Sequence, residues 1–180
     1  RYMFNSFFVA VTTTFAALIF HSMAAYALAR LRFPGRNLLF IYTLSTLMIP
    51  IYAIIVPRYI IISQLGWVDT YAGLIIPAIP HAFGIFALRQ FLMGIPKELE
   101  EAAQIDGASK IRIFFTVILP LSKGILVTLG VLFFIVNWDA FIWPLIATTS
   151  DNMKLIQVAI ASFIDQQNPQ WHLVITAAAV

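Results

Sequence analysis

The 180-residue chain is 61% hydrophobic and only 11% charged, with a mean hydropathy of +0.91 and a net charge of +3. A soluble domain has roughly a quarter of its residues charged, so this chain cannot cover a water-facing surface, and we predict that membrane lipid surrounds it. The lack of cysteine excludes disulfides and thiolate-bound metals. The small net charge does not indicate a nucleic-acid partner, and the composition predicts an all-α, polytopic membrane protein.

Long apolar segments divide the chain into predicted membrane spans. A helix needs about 20 apolar residues to cross the hydrocarbon, and each span should be helical because lipid offers no partner to unpaired backbone amides. The predicted spans cover about residues 5–29, 38–62, 71–93, 121–147 and 172–180. The last span is cut short, and the first residue is an arginine, so we expect a fragment of a longer protein.

Basic residues orient these spans, because cytoplasmic loops carry an excess of Lys and Arg. Eight basic residues lie in the 30–36 turn and the 89–123 loop. The three on the opposite side are Arg1, Arg58 and Lys154. This asymmetry predicts that the turn and the loop face the cytoplasm. The tryptophans at the predicted outer boundary, where an aromatic belt is expected, are Trp67, Trp143 and Trp171.

The polar segment 94–120 has the features of a helix followed by a turn and a second helix. Pro96 stands where the first turn of a helix accepts proline. Acidic residues that complement the dipole of that first turn are Glu98, Glu100 and Glu101. Small or apolar residues that share one helical face are Leu99, Ala102 and Ala103. The alanines make that face shallow, so another backbone can approach it closely.

Gly107 suits a helix end in the left-handed region. A second helix is expected from Ser109 to about Ile118, after which Pro120 bends the chain back into the membrane. From the residues alone, two interpretations remain open. The segment is either a solvated amphipathic connector or a docking surface for a partner in the water phase.

The spacing of residues in this segment resembles the EAA loop of ABC importer permeases. Glu101-Ala102-Ala103 is followed after three residues by Gly107. Nine further residues, 108–116, separate Gly107 from an apolar residue, which is followed by one more residue and then Leu119-Pro120. The apolar position holds Val117, where isoleucine is usual, and Asp106 also matches the common form of the family.

Other segments are similar to the carbohydrate branch of this family, the MalG-like subunits of maltose permeases. They are residues 5–6, 25–30, 32–36, 47–50, 82–86, 89–91 and 95–100. The resemblance covers essentially the whole chain and implies a type-1 (MetI-like) ABC importer transmembrane domain. The chain would extend from the second helix of that fold to the start of the sixth, without the first helix and the C-terminal end.

The resemblance implies a function for the loop at 94–120, which would carry a helix that docks in a groove of a separate ATPase. The coupling residues would be Glu101, Ala102, Ala103, Asp106, Gly107, Leu119 and Pro120. The implied partners are two copies of the ATPase, a second permease subunit, and a periplasmic or lipid-anchored solute-binding protein. The implied function is binding-protein-dependent uptake of a sugar or a sugar derivative across the inner (plasma) membrane, and no residue selects one solute.

ATP hydrolysis would belong to the partner subunit, and no cofactor is expected. The sequence has no Walker A loop, nucleophile elbow or metal-binding cluster. Two other classes of membrane protein would show different sequence features. A secondary transporter would show paired intramembrane charges or inverted repeats, and a membrane-embedded enzyme would need a cluster of His, Asp or Glu near one interface.

Trp138 and Asp139 lie in the outer part of the fourth predicted span. A carboxylate within the membrane is costly and is by default functional. Asp139 either ties helices together near the outer interface or lines the translocation path with Trp138. Related sugar permeases often carry a different pair of polar residues here, whereas this chain has Asp139 and Ala140. The lone histidines His21 and His81 are expected to form interhelical hydrogen bonds and not to bind a metal.

Overall fold

The computed structural model describes residues 1–162 and residue 175, and α-helices form most of that part of the chain. It contains no strand, so the predicted all-α class is confirmed. The α-helices are α1 (Tyr2–Arg30), α2 (Arg36–Ser45), α3 (Ile51–Gln64), α4 (Tyr71–Ile75), α5 (Ala82–Gly94), α6 (Glu98–Ile105), α7 (Lys110–Ile113), α8 (Leu119–Leu121), α9 (Lys123–Trp138), α10 (Ile142–Ala147) and α11 (Ile156–Ser162). The predicted span 172–180 and Trp171 lie outside the described residues, apart from Ile175.

The longest helix, α1, has 29 residues, and its sequence contains neither proline nor glycine. It ends at Arg30, and the turn that follows holds Pro34 and then Gly35, whose φ of 81° is in the left-handed region. By length and composition, α1 could cross a membrane by itself. Three bent helix pairs in the described part of the chain could each supply one further span.

Three of the predicted spans are not continuous helices. The span 38–62 is interrupted between α2 and α3, where Ile49 has an extended backbone before Pro50. Proline disfavours helical backbone in the residue before it. The span 71–93 is interrupted between α4 and α5, and 121–147 is interrupted between α9 and α10. Pro57, in contrast, lies inside α3 without ending it.

The described chain falls into two compact units. The first unit contains Arg1–Thr14, Ile51–Ile79 and Phe133–Val180, and the second contains Phe15–Pro50 and Pro80–Leu132. Each unit is thus assembled from segments that are far apart in sequence.

The core of the first unit forms around Trp143, which is only 8% exposed. Its indole N–H donates a hydrogen bond to the carbonyl oxygen of Gly73 at 3.1 Å, and the Arg58 guanidinium lies 4.0 Å from its ring centroid. Buried residues in the same cluster are Val9, Ile62, Leu74, Ala147 and Leu155. Trp143 therefore does not face outward as a residue of an aromatic belt would, because its N–H is satisfied inside the unit.

Asp69 joins two loops of the first unit. Its backbone is left-handed, with a φ of 58°. Its carboxylate accepts hydrogen bonds from the backbone N–H groups of Thr149 at 2.7 Å and Ser150 at 2.9 Å, and from both hydroxyls. These bonds, led by that of the Thr149 hydroxyl, lower the pKa of Asp69 to about 2. The carboxylate therefore stays charged at physiological pH.

Asn5 and Ser6, which the sequence analysis noted only for their family resemblance, hold the start of α11 in the first unit. The Asn5 amide donates to the carbonyl oxygen of Asn152 at 2.8 Å, and its own oxygen accepts from the Tyr71 hydroxyl at 2.8 Å. The Ser6 hydroxyl accepts from the backbone N–H of Ile156 at 2.8 Å. Both residues are buried, so each satisfies polar groups that lipid could not.

The second unit packs residues 15–30 of α1, α5 and the helical segments between 110 and 122 around buried apolar side chains. These include Leu28, Leu88, Leu92, Ile113, Phe114 and Ile118. His21 Nε2 accepts a hydrogen bond from the backbone N–H of His81 at 3.1 Å. The expected interhelical hydrogen bond of His21 is therefore confirmed, and within the described residues no group of three His, Asp or Glu side chains could hold a metal ion.

Candidate coupling surface

The helix predicted after Pro96 is α6, and it carries Glu98, Glu100 and Glu101 in its first turn. The carbonyl oxygen of Lys97 accepts from the N–H groups of both Glu100 and Glu101. Three carboxylates near the positive end of the helix dipole favour this helix locally. Its eight residues have few other sources of stability, since an isolated helix shorter than about 12 residues is marginal in water.

Gly107 ends α6 in the left-handed conformation that the sequence predicted, with a φ of 79°. The N–H of Ala108 bonds to the carbonyl of Ala103 at 2.9 Å, and the N–H of Gly107 bonds to that of Gln104 at 3.0 Å. This pair of bonds is a Schellman motif, in which glycine avoids the Cβ clash that a left-handed backbone imposes on other residues. The motif sets the direction in which the chain leaves α6.

One face of α6 is exposed and apolar. Leu99 is 44% exposed, Ile105 is 87% exposed, and Ala102 lies between them on the same face. Ile111, on α7, is 72% exposed. No described residue covers these side chains. Exposed clusters of large apolar residues commonly mark interaction sites. Ile105 and Ile111 were missed from the sequence, although the three-residue spacing of 99, 102 and 105 was a usable signal.

The predicted docking face is thus turned slightly on the helix. Ala103, which the sequence placed on one face with Leu99 and Ala102, is half-buried. Glu101 is exposed beside Ala102. Asp106 and Gly107 at the end of α6 are also exposed. The structure therefore brings Glu101, Ala102 and Asp106 together on one short exposed element.

The second half of the segment differs from the expected helix that ends near Ile118. Ser109 caps α7 by accepting from the N–H of Arg112 at 3.3 Å, and a π-helical turn, Phe114–Ile118, leads into α8. Pro120 does not bend the chain, since it lies inside the helical run Lys110–Leu121, shortly after the π-helical turn.

The bend comes at Ser122, where the helical run Lys110–Leu121 meets Lys123–Trp138 at 76°. The Ser122 hydroxyl donates to the carbonyl of Ile118 at 2.8 Å. Leu119 is half-buried and Pro120 is exposed, so these two candidate residues form the hinge side of the segment and lie outside its exposed apolar face.

Glu100 differs from the other acids of the first turn of α6 in a way that the sequence alone does not reveal. It is only 6% exposed, and its carboxylate lies 3.1 Å from Nε of Arg30 at the end of α1. Its spacing in the sequence could not reveal a partner 70 residues away.

An open cleft of about 670 Å³ runs beside α6 in the second unit. Five cations line it: Arg30, Arg32, Arg36, Lys97 and Lys110. Glu100 and Glu101 contribute the acidic groups. The cleft leaves one side of α6 accessible from water.

The other candidate residues, Trp138 and Asp139, lie in the first unit at the end of α9. The Trp138 ring stacks on Phe134 with 5.9 Å between centroids. The Asp139 carboxylate is exposed and lies 3.5 Å from the side-chain amide of Gln157, a weak hydrogen bond.

Comparison with known proteins identifies the family to which this chain belongs. The family model described as the inner membrane component of binding-protein-dependent transport systems matches residues 17–180. The chain belongs to this family. The fold and the inner-membrane location predicted from the EAA-like residues are thereby confirmed.

Several relatives of this binding-protein-dependent permease family are sn-glycerol-3-phosphate transport system permease proteins UgpE. That of Yersinia enterocolitica is 39% identical over 177 residues, which are 97% of this chain and 63% of the relative. That of Brucella abortus is 38% identical over 180 residues, covering 99% of this chain and 64% of the relative. The chain therefore spans less than two thirds of the length of these curated relatives.

The chain is also similar to a solved transporter structure. That structure is of a bacterial ABC transporter involved in the import of the acidic polysaccharide alginate, with a TM-score of 0.86 and 26% identity. The match covers 99% of this chain and 63% of the solved chain.

Proposed function

We propose that this chain is part of a permease subunit of an ATP-driven importer, and that α6 couples it to a separate ATPase. The observation that supports this proposal is the short exposed helix, which carries Glu101 and Ala102 beside Leu99 and Ile105 in a member of a binding-protein-dependent transport family. The solvated-connector interpretation explains the acidic first turn. It does not explain why an isoleucine on this short polar helix is 87% exposed.

The proposed solute is a sugar or a sugar derivative delivered by an external binding protein. The relatives named for sn-glycerol-3-phosphate and the transporter of alginate both handle hydroxylated, acidic solutes according to their names. In this proposal Trp138 and Asp139 line the translocation path. An aromatic face suits a sugar ring, and a carboxylate accepts hydrogen bonds from hydroxyl groups.

The proposed assembly contains a second permease subunit, two ATPase copies and a solute-binding protein. Each permease subunit of this kind offers one docking helix. Closure of the ATPase dimer on ATP would displace α6, and the helices attached to it would move and open the cavity outward. Rigid motion of α6 must reach α5 through residues 95–97 and α9 through the bend at Ser122.

We expect the full-length subunit to retain its ATPase through affinity purification and to have no ATPase activity alone. The experiment is co-expression with the ATPase and the second permease of the same system, followed by detergent extraction and a hydrolysis assay of each fraction. ATP hydrolysis by the subunit without partners, or purification that never retains the ATPase, would contradict the proposal.

The proposed topology places the 30–36 turn and α6 in the cytoplasm and the loop at Thr149 outside. These 180 residues contain no cysteine, so Ser109→Cys and Thr149→Cys can be labelled one at a time in intact cells, in a subunit whose remaining sequence is free of cysteine. An impermeant maleimide should label Thr149→Cys directly and Ser109→Cys only after permeabilisation. Labelling of Ser109→Cys from outside would refute the orientation and, with it, the docking role of α6.

A further inference from the structure

An ion pair in the second unit connects the proposed docking helix to the long helix α1. Nε of Arg30 lies 3.1 Å from Oε1 of Glu100, and the two side chains are 4% and 8% exposed. In sequence, α6 is continuous with α5 and α7, whereas α1 ends 70 residues before Glu100. The ion pair is therefore a direct polar link between α6 and a helix that the local backbone does not attach to it.

Arg30 also binds the end of α5. Its Nη2 donates hydrogen bonds to the carbonyl oxygens of Leu92 and Ile95. The last carbonyls of a helix have no partner within the helix and carry the negative end of its dipole, so a guanidinium is well matched to them. One side chain thus ties together the ends of α1 and α5 and the first turn of α6.

Adjacent glutamates on α6 differ in their exposure. Glu101 is exposed on the side proposed for the ATPase, whereas Glu100 is buried against Arg30. The first turn of α6 would receive a displacement from the partner through Glu101, and the same turn is linked to α1 and α5 through Glu100 and Arg30.

We propose that Arg30 and Glu100 are positioning residues that transmit displacement of α6 directly to α1 and α5. The inference rests on the proposed coupling function of α6. Separating a buried pair leaves an uncompensated charge with little access to water, which is strongly unfavourable. The end of α1, the end of α5 and the start of α6 therefore move together. The displacement reaches α1 through this ion pair and not only through the loops between the helices.

The test follows the distance between α6 and α1 in the assembled transporter. Spin labels are placed at Lys97→Cys, the residue that caps the start of α6, and at Met23→Cys on α1, both exposed positions. The distance is measured without nucleotide and with the ATPase trapped closed on ATP. In the otherwise unchanged chain the distance should stay constant. In Glu100→Gln and in Arg30→Gln it should change by about 2 Å or more, the scale of interface helix shifts.

Controls separate this role from a general loss of charge. Glu98→Gln makes the same charge change at an exposed position of the same turn and should keep the distance constant. The double variant Arg30→Gln/Glu100→Gln should shift no further than Arg30→Gln, because Arg30→Gln already removes the link to Glu100. ATPase co-purification should persist in every variant, since Glu101 and the apolar face of α6 are untouched.

Several results would overturn the proposal. A distance that changes on closure in the unmodified transporter, or that stays constant in Glu100→Gln, means that α6 and α1 do not depend on this pair. Loss of the ATPase in Glu100→Gln alone means that the pair only shapes the docking helix. Failure of the unmodified subunit to retain any ATPase refutes the coupling function itself and is recognised before a variant is made.

Discussion

Glu101→Lys should release the ATPase from the detergent-solubilised complex and abolish solute uptake, while the subunit still inserts into the membrane. Glu101 is exposed on α6 beside Ala102, so it contributes little to the core of the second unit. Lysine reverses the charge that the ATPase groove is proposed to bind. ATPase recovery per subunit and transport in cells measure the two effects, and membrane accumulation of the subunit measures insertion.

Glu98→Lys is the matched control for this substitution. Glu98 is also exposed in the first turn of α6, and its replacement makes the same charge change. If the acids only complement the helix dipole, each is worth about 0.3–1 kcal/mol, and the two variants should behave alike. Equal retention of the ATPase by both would contradict the docking role of Glu101.

Gly107 offers an independent test of the same surface. Gly107→Leu should cost about 1–2 kcal/mol because the left-handed backbone crowds a Cβ, and it should redirect the chain after α6. Gly107→Asn is the control, since asparagine tolerates this conformation. If ATPase retention and uptake survive both Glu101→Lys and Gly107→Leu, the segment 94–120 is not the coupling element.

Gly73→Ala should destabilise the first unit by about 3 kcal/mol, at the upper end of the usual cost of overpacking. A Cβ on Gly73 would lie 2.2 Å from the carbonyl oxygen of Trp67, and backbone atoms cannot rotate away. The shift would also disturb the carbonyl of Gly73 that accepts the Trp143 N–H. The midpoint of thermal unfolding in detergent and the amount of subunit in the membrane should both fall.

Gly124→Ala is the control for this prediction. Gly124 lies in α9, and a Cβ there would meet no atom within 4 Å. Alanine is also the better helix former, so the unfolding midpoint should be unchanged or higher. An unchanged midpoint in Gly73→Ala would show that α4 and the loop after Gln64 separate easily, contrary to the packing described.

The sequence by itself determined the features that depend on solvent and on neighbouring residues. Apolar content predicted helices in lipid, since every backbone amide must find its partner locally there. Acids after Pro96 predicted the start of α6, and Gly107 predicted its left-handed end, because both effects act within one helical turn. The residue order from Glu101 to Pro120 predicted the family.

Only the tertiary structure decided which distant groups meet. Glu98, Glu100 and Glu101 are equivalent acids in the sequence, yet burial against Arg30 makes Glu100 alone an internal residue. Trp143 was predicted from its position in the sequence to lie in an aromatic belt, but its N–H donates to the carbonyl of Gly73 inside the first unit. The position of the bend at Ser122 likewise depends on how the segment packs, since Pro120 lies inside the helical run that precedes the bend. Local chemistry sets each element, whereas long-range burial selects which of several similar side chains is paired.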